Sequence, residues 1–160
     1  MQRRRFLSAG GAAAVLALMP FRSHASDVKL ALTNSDLVYL TPIKADGSLS
    51  SCQAEVWYIM LGPDVYICTA SSSWRAKAAG SGINNTKLWI GDLGGWHSED
   101  YKSLPSINAV SHVESDETNI DRVLAQFGRK YSAQWSTWGP RFKNGLADGS
   151  RTILRYQLVA

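Results

Sequence analysis

VYICTASSSWRAKAAG, residues 65–80, joins two different periodicities at one corner. Residues 65–70 (VYICTA) are β-branched, aromatic and apolar, as a buried strand requires. Ser71, Ser72 and Ser73 then offer helix-capping hydroxyls, and the Ala-rich turns behind them end at Gly80, so residues 71–80 are expected to form a short helix. Working backward, Gly62-Pro63-Asp64 is a turn, and residues 49–60 (LSSCQAEVWYIM) read as one long strand, with Met60 opposite Val65. Residues 36–44 (DLVYLTPIK) form a strand before it, linked by the Asp46-Gly47 hairpin signal. Three antiparallel strands in succession with short links are a meander, not a βαβ unit.

Both faces of these strands are apolar. Val56, Tyr58, Met60, Val65 and Ile67 fall on one side, and Trp57, Ile59, Tyr66 and Cys68 on the other. The sheet is therefore expected to be covered twice, as a barrel wall that also docks a helix or a second subunit. Working forward, residues 87–92 (KLWIGD) and 107–113 are strands, with an aromatic Gly-rich loop over 91–102 between them. Ile120, Val123, Leu124 and Phe127 recur at helical spacing behind a cap at 116–119, predicting an amphipathic helix over 119–131. Residues 133–149, with Trp135, Trp138 and Pro140, read as a loop, and residues 151–159 (RTILRYQLV) alternate as a closing strand. The expected class is α+β and mainly β, with about six antiparallel strands and short helices.

The N-terminus has its own logic. Arg3-Arg4-Arg5-Phe6-Leu7 resembles the twin-arginine export signal. Residues 8–19 are apolar but only 12 long, against roughly 20 needed to span a bilayer. Ser23-His24-Ala25 supplies the small residues of a signal-peptidase site, so cleavage is expected after Ala25. That implies a signal peptide over 1–25, a single domain over 26–160, a periplasmic or secreted protein, the twin-arginine machinery as a partner, and no stable membrane span. Removing 25 of 160 residues leaves 135 and takes four of the 17 basic residues but none of the 13 acidic ones, so 13 of each remain. A neutral mature chain lacks the excess charge that nucleic-acid backbones require. Cys52 and Cys68 fall on opposite faces by the two-residue period, a poor geometry for a disulfide, and read as thiols.

Hydroxyls at Thr69 and Ser73, the N–H groups of a helix start and the Arg75 guanidinium suit a phosphate dianion, and equally an ordinary capped surface helix. Trp57 and Trp89 read as core, whereas Trp96, Trp135 and Trp138 read as loop anchors or as stacking surfaces for a planar ligand. His97 and His112 lack metal-ligand spacing, no Gly-x-Ser-x-Gly elbow occurs, and Gly80-Ser81-Gly82 lacks the third glycine of a dinucleotide loop.

The strand order, the Ser/Thr corner with Arg and Lys, and the later strands separated by a second helix resemble the pyridoxamine 5'-phosphate oxidase-like FMN-binding split barrel. The resemblance covers about residues 36–160 and rests on Ala54-Glu55-Val56-Trp57-Tyr58, Thr69 and Ser73-Trp74-Arg75, with the Asp121 to Lys130-Tyr131 helix pointing to a subgroup of that superfamily. It implies an antiparallel split barrel and a homodimer with a flavin in its groove. Thr69, Ser73 and Arg75 would bind the ribityl phosphate, Lys77 would add charge, and Trp74 stands where a second basic residue is often found. An FMN-dependent oxidoreductase of unknown catalytic residues is the implied activity. A non-catalytic protein holding another planar ligand, a deazaflavin or haem, is the alternative. For the export signal, Arg3→Lys combined with Arg4→Lys is expected to retain the precursor in the cytoplasm on cell fractionation; unimpaired export would remove the twin-arginine reading.

Overall fold

In the computed structural model, residues 24–94 and 99–159 are described; residues 3–19 of the signal motif, and Trp96 and His97, lie outside them. The chain runs through α1 (His24–Asn34), β1 (Leu37–Pro42), β2 (Ala54–Trp57), β3 (Ile59–Leu61), β4 (Asp64–Ala70), α2 (Trp74–Gly80), β5 (Asn85–Ile90), β6 (Ser106–Val113), α3 (Glu117–Lys130), α4 (Ser132–Ala147) and β7 (Arg151–Val159). Every strand pairing is antiparallel, in the order β2-β1-β5-β6-β7-β4-β3. The two ends of that order, β2 and β3, are separated by Tyr58 alone, so the sheet curls into a nearly closed barrel.

The alternation along the strands sorts the side chains as their period of two requires. Val56, Tyr58, Met60, Val65 and Ile67 enter the barrel interior with Val38, Leu40, Leu88, Ile90, Leu154 and Tyr156. Trp57, Ile59, Tyr66 and Cys68 pack outside against Val123, Leu124, Phe127 and Tyr131 of the α3 segment and Phe142 of α4. Each fully buried large apolar side chain contributes about 1.5–3 kcal/mol. The outer cover of β3 and β4 therefore comes from helices of the same chain, and that face does not call for a second subunit.

Three parts of the chain differ from their sequence reading. The long strand expected over 49–60 is two short ones, which makes seven strands instead of six. The break has a chemical cause: the backbone N–H of Tyr58 donates to the Tyr131 hydroxyl (3.0 Å), and that hydroxyl lies 2.7 Å from the carbonyls of both Tyr58 and Asp36. A side chain from the end of α3 thus replaces a neighbouring strand at that residue. Upstream, Ser50 N–H still donates to the Pro42 carbonyl (2.9 Å), but residues 51–53 leave the sheet, with Cys52 N–H donating to the Ser50 hydroxyl at 3.3 Å.

Residues 133–149 are not a loop but largely α4. Its inward stripe is buried Phe142 with half-buried Trp135, Trp138 and Leu146, a helical spacing masked by Ser136, Thr137 and the Gly139-Pro140 pair. Pro140 sits inside the helix on its exposed face, and Ser136, the residue whose carbonyl it cannot serve as donor, is exposed as well. Gly139 is required by close approach, since a Cβ there would stand 2.8 Å from the Trp135 ring. The third difference is α1, for which the sequence reading offered no element. It buries Val28 and Leu32 in the barrel core, and its last carbonyls are capped by the Tyr58 hydroxyl (2.9 Å to Leu32 O, 3.0 Å to Ser35 O) and by Lys130 Nζ (2.8 Å to Ser35 O). The expected cleavage point after Ala25 falls in its first turn. Trp89 is core, as read, held edge-on to Tyr101 from the 3-10 turn Glu99–Ser103.

Tyr131→Phe strips the Tyr58 backbone of its partner while preserving the ring. It is expected to cost about 1–3 kcal/mol, seen as a lower urea midpoint at unchanged m-value. A midpoint equal to that of the unsubstituted protein would show that the hydroxyl is not what holds the break.

Candidate functional site

The broken strand leaves a gap in the barrel wall. β4 pairs with β3 only from Asp64 to Tyr66, while on its other edge β7 follows it to Ala70. β2 has meanwhile turned to pair with β1. Between β2 and the far half of β4 lies a cleft of about 440 Å³, within the range of small-ligand sites. Its walls come from five places in the sequence: Val56 and Trp57 of β2, Cys68, Thr69 and Ala70 of β4, Arg75 of α2, Trp138 and Phe142 of α4, and Arg151 of β7. The lining mixes side chains from the inner and outer faces, so the opening passes through the wall.

The corner that decided the fold supplies the polar part. Thr69 is buried, with its Oγ1 3.4 Å from the Ser73 hydroxyl. Ser73 caps α2, accepting from the Ala76 N–H at 3.3 Å, as the serine run led one to expect. That cap fixes the first turn of α2, from which Arg75 reaches the cleft. The Arg75 Nε is buried and has no hydrogen-bond partner. Its charge also acts inward: burial pushes the Tyr156 hydroxyl well above the usual tyrosine value, and the Arg75 guanidinium pulls it back. Of the five residues expected at the site, Thr69 and Arg75 line the cleft and Ser73 joins it through Thr69. Trp74 is 42% exposed and Lys77 is exposed, and neither lines it.

The aromatic wall is held from behind. Trp57 stacks on Tyr131 (centroids 4.4 Å apart, planes 6° apart), and Trp138 meets Trp57 edge-on at 5.8 Å. Trp138 thus serves the cleft, while Trp135 packs on Phe127 and Phe142. Cys68, Phe142 and Arg151 were not anticipated there. Cys68 and Cys52 are both free thiols. Burial pushes the Cys68 thiol up to about 11, against the opposing pull of Arg151.

A second hollow of about 530 Å³ lies between α1, β3 and α3, lined by Lys29, Thr33, Asp36 and Lys130 among others. Its most buried cation, Lys130, is already committed to Ser35 O and to the Tyr58 ring 3.6 Å below it. Among the described residues no group of three or more His, Cys, Asp or Glu is placed to hold a metal, and no helix is long and apolar enough to cross a membrane.

The sequence matches no protein-family model and no curated protein. Its fold does match solved structures. HutZ, the heme storage protein of Vibrio cholerae, aligns at 12% identity and a TM-score of 0.56 over 84% of this chain and 89% of its own. A Listeria innocua protein whose name assigns it to the pyridoxamine 5'-phosphate oxidases aligns at 12% identity and 0.54, over 84% and 93%. ChuZ of Campylobacter jejuni aligns at 10% identity and 0.60, over 88% and 55%. At such identities the likeness is one of fold: the split barrel of pyridoxamine oxidase-like proteins.

The raised Cys68 thiol carries a direct test. Alkylation by iodoacetamide at pH 8, followed by peptide mass spectrometry, is expected to leave Cys68 largely unmodified and to accelerate as pH approaches 11. Rapid modification at pH 8 would contradict a buried, protonated thiol in the cleft wall.

Proposed function

We propose that this chain binds FMN in the cleft between β2 and β4 and works as an exported flavin-dependent oxidoreductase on a small molecule. One observation carries the reading: a buried guanidinium nitrogen without a partner, Arg75 Nε, stands in an aromatic-walled cleft whose lining contains no carboxylate. A buried cationic donor left unpaired is costly, and an anion from outside is what would satisfy it. The residues present fit a phosphate-bearing planar group. Arg75, with the Thr69 and Ser73 hydroxyls behind it, would hold the phosphate, and the indoles of Trp57 and Trp138 would border the ring and exclude water. When bound, a flavin supplies hydride or electron transfer. The lining offers no carboxylate or imidazole, so these side chains bind, orient and desolvate without exchanging protons.

The Arg3 to Leu7 motif supports export by the twin-arginine route. A homodimer would cover Leu49 and Trp74, which are 43% and 42% exposed. Haem is the second reading, supported by the fold shared with HutZ. Within the lining only Cys68 offers an iron-ligating atom of the usual kind, and burial keeps that thiol protonated, which favours the flavin.

Arg75→Ala is expected to weaken FMN binding about tenfold to a hundredfold in a flavin-fluorescence titration, the loss of one charge-assisted hydrogen bond, with the circular dichroism spectrum unchanged. Lys102→Ala removes an exposed charge elsewhere, over Tyr101, and is expected to bind like the parent. Equal affinities for the two variants, or no flavin binding by the parent, would overturn the reading.

A further inference from the structure

Arg75 is not the only cation in the cleft. Arg151, the first residue of β7, pairs with Ala70 of β4 and lays its guanidinium 5.3 Å from the centroid of the Phe142 ring. The one salt bridge among the described residues joins Arg155 to Asp64, so neither Arg75 nor Arg151 has a carboxylate partner there. Two guanidinium groups from separate elements therefore border one largely apolar cleft with no acidic residue in its wall. Arg75 Nε is buried without a partner, while Arg151 is half-buried and hydrogen-bonded to the neutral Cys68 thiol, so neither charge is balanced unless an anion completes the pair.

The position of Arg151 has its own cause. α4 passes the start of β7 at Gly145, which is buried. A Cβ on Gly145 would lie 2.7 Å from both Cγ and Cδ of Arg151 and 3.1 Å from its Cβ. The stem of Arg151 thus occupies the space that any larger residue at 145 would fill. It can lie against α4 and present its charge beside Phe142 only because that residue is glycine.

We infer that Arg151 is a second anion anchor, that together with Arg75 it makes the cleft selective for aromatic ligands bearing a doubly charged group over singly charged ones, and that Gly145 is its positioning residue. This rests on the reading of the cleft as a ligand site, but not on the ligand being a flavin. A guanidinium offers paired N–H donors to phosphate oxygens, and a second one adds most when the anion carries a second charge.

The test is calorimetric titration at pH 8, where a phosphate monoester is a dianion, with 1-naphthyl phosphate, 1-naphthyl sulfate and FMN as probes. The unsubstituted protein is expected to prefer the phosphate to the sulfate by about tenfold or more, the scale of one charge-assisted hydrogen bond. Arg151→Gln keeps the stem on Phe142 and removes the charge; it is expected to lose about tenfold in phosphate affinity and most of that preference. Gly145→Ala is expected to behave likewise in the native background and to change nothing further once Arg151 is Gln, a non-additivity that general loosening of α4 would not produce. The inference falls if the parent shows no phosphate preference or no binding of either naphthyl probe. It falls equally if Arg151→Gln binds like the parent, or if the Gly145→Ala and Arg151→Gln losses add. Naphthyl phosphate behaving as stated without FMN binding would sink the flavin reading and leave the two-arginine site standing. FMN binding that depends on Arg75 but is indifferent to Arg151 would do the reverse.

Discussion

The hydroxyl of Tyr131 does what a neighbouring strand would ordinarily do. By meeting both the N–H and the carbonyl of Tyr58, it satisfies the backbone at the one residue where the second strand changes partners. Buried backbone groups must be paired, so without this contact the strand would have to stay on one neighbour. With it, β2 follows β1, β3 follows β4, and the wall opens between them. The same ring stacks on Trp57, so the residue that permits the gap also fixes one of its walls.

From this follows the character of the cleft. Its aromatic side is held by α3 and α4, which exclude water from one flank. Its polar side is held by the capped start of α2 and the start of β7. Cations in such surroundings interact strongly with an incoming anion because little water competes for them. The buried thiol of Cys68 obeys the same rule in reverse: burial pushes it up although the Arg151 guanidinium beside it pulls the other way. The proposed anion site and the protonated thiol would both follow from burial in the same cleft wall.

What could be read in advance divides along physical lines. The opposite faces of residues 56–68, the cap at Ser73 and the helix behind Asp116 are local, and each is found where the pattern placed it. The break at Tyr58 was not legible because its cause lies 73 residues away, in a side chain whose helix was recognised but whose target was not. α4 was hidden by Gly139-Pro140, residues that usually end helices; one admits the Trp135 ring and the other lies on the exposed face of the helix. Of the site, Thr69 and Arg75 were visible because the corner is contiguous. Trp138 stood out as an aromatic that could face a planar ligand, but Arg151 did not, because only the closure of the barrel brings the start of β7 to that corner.

The most direct measurement is the absorption spectrum of the full chain, expressed with its own N-terminal segment and purified without added cofactor, before and after release of any bound group by mild denaturation. A flavin spectrum in the native sample, with the released group identified as FMN by mass spectrometry, is the expected result. A haem spectrum, or a protein that carries no chromophore and takes up no flavin when it is supplied, would contradict a flavin site in the split of this barrel.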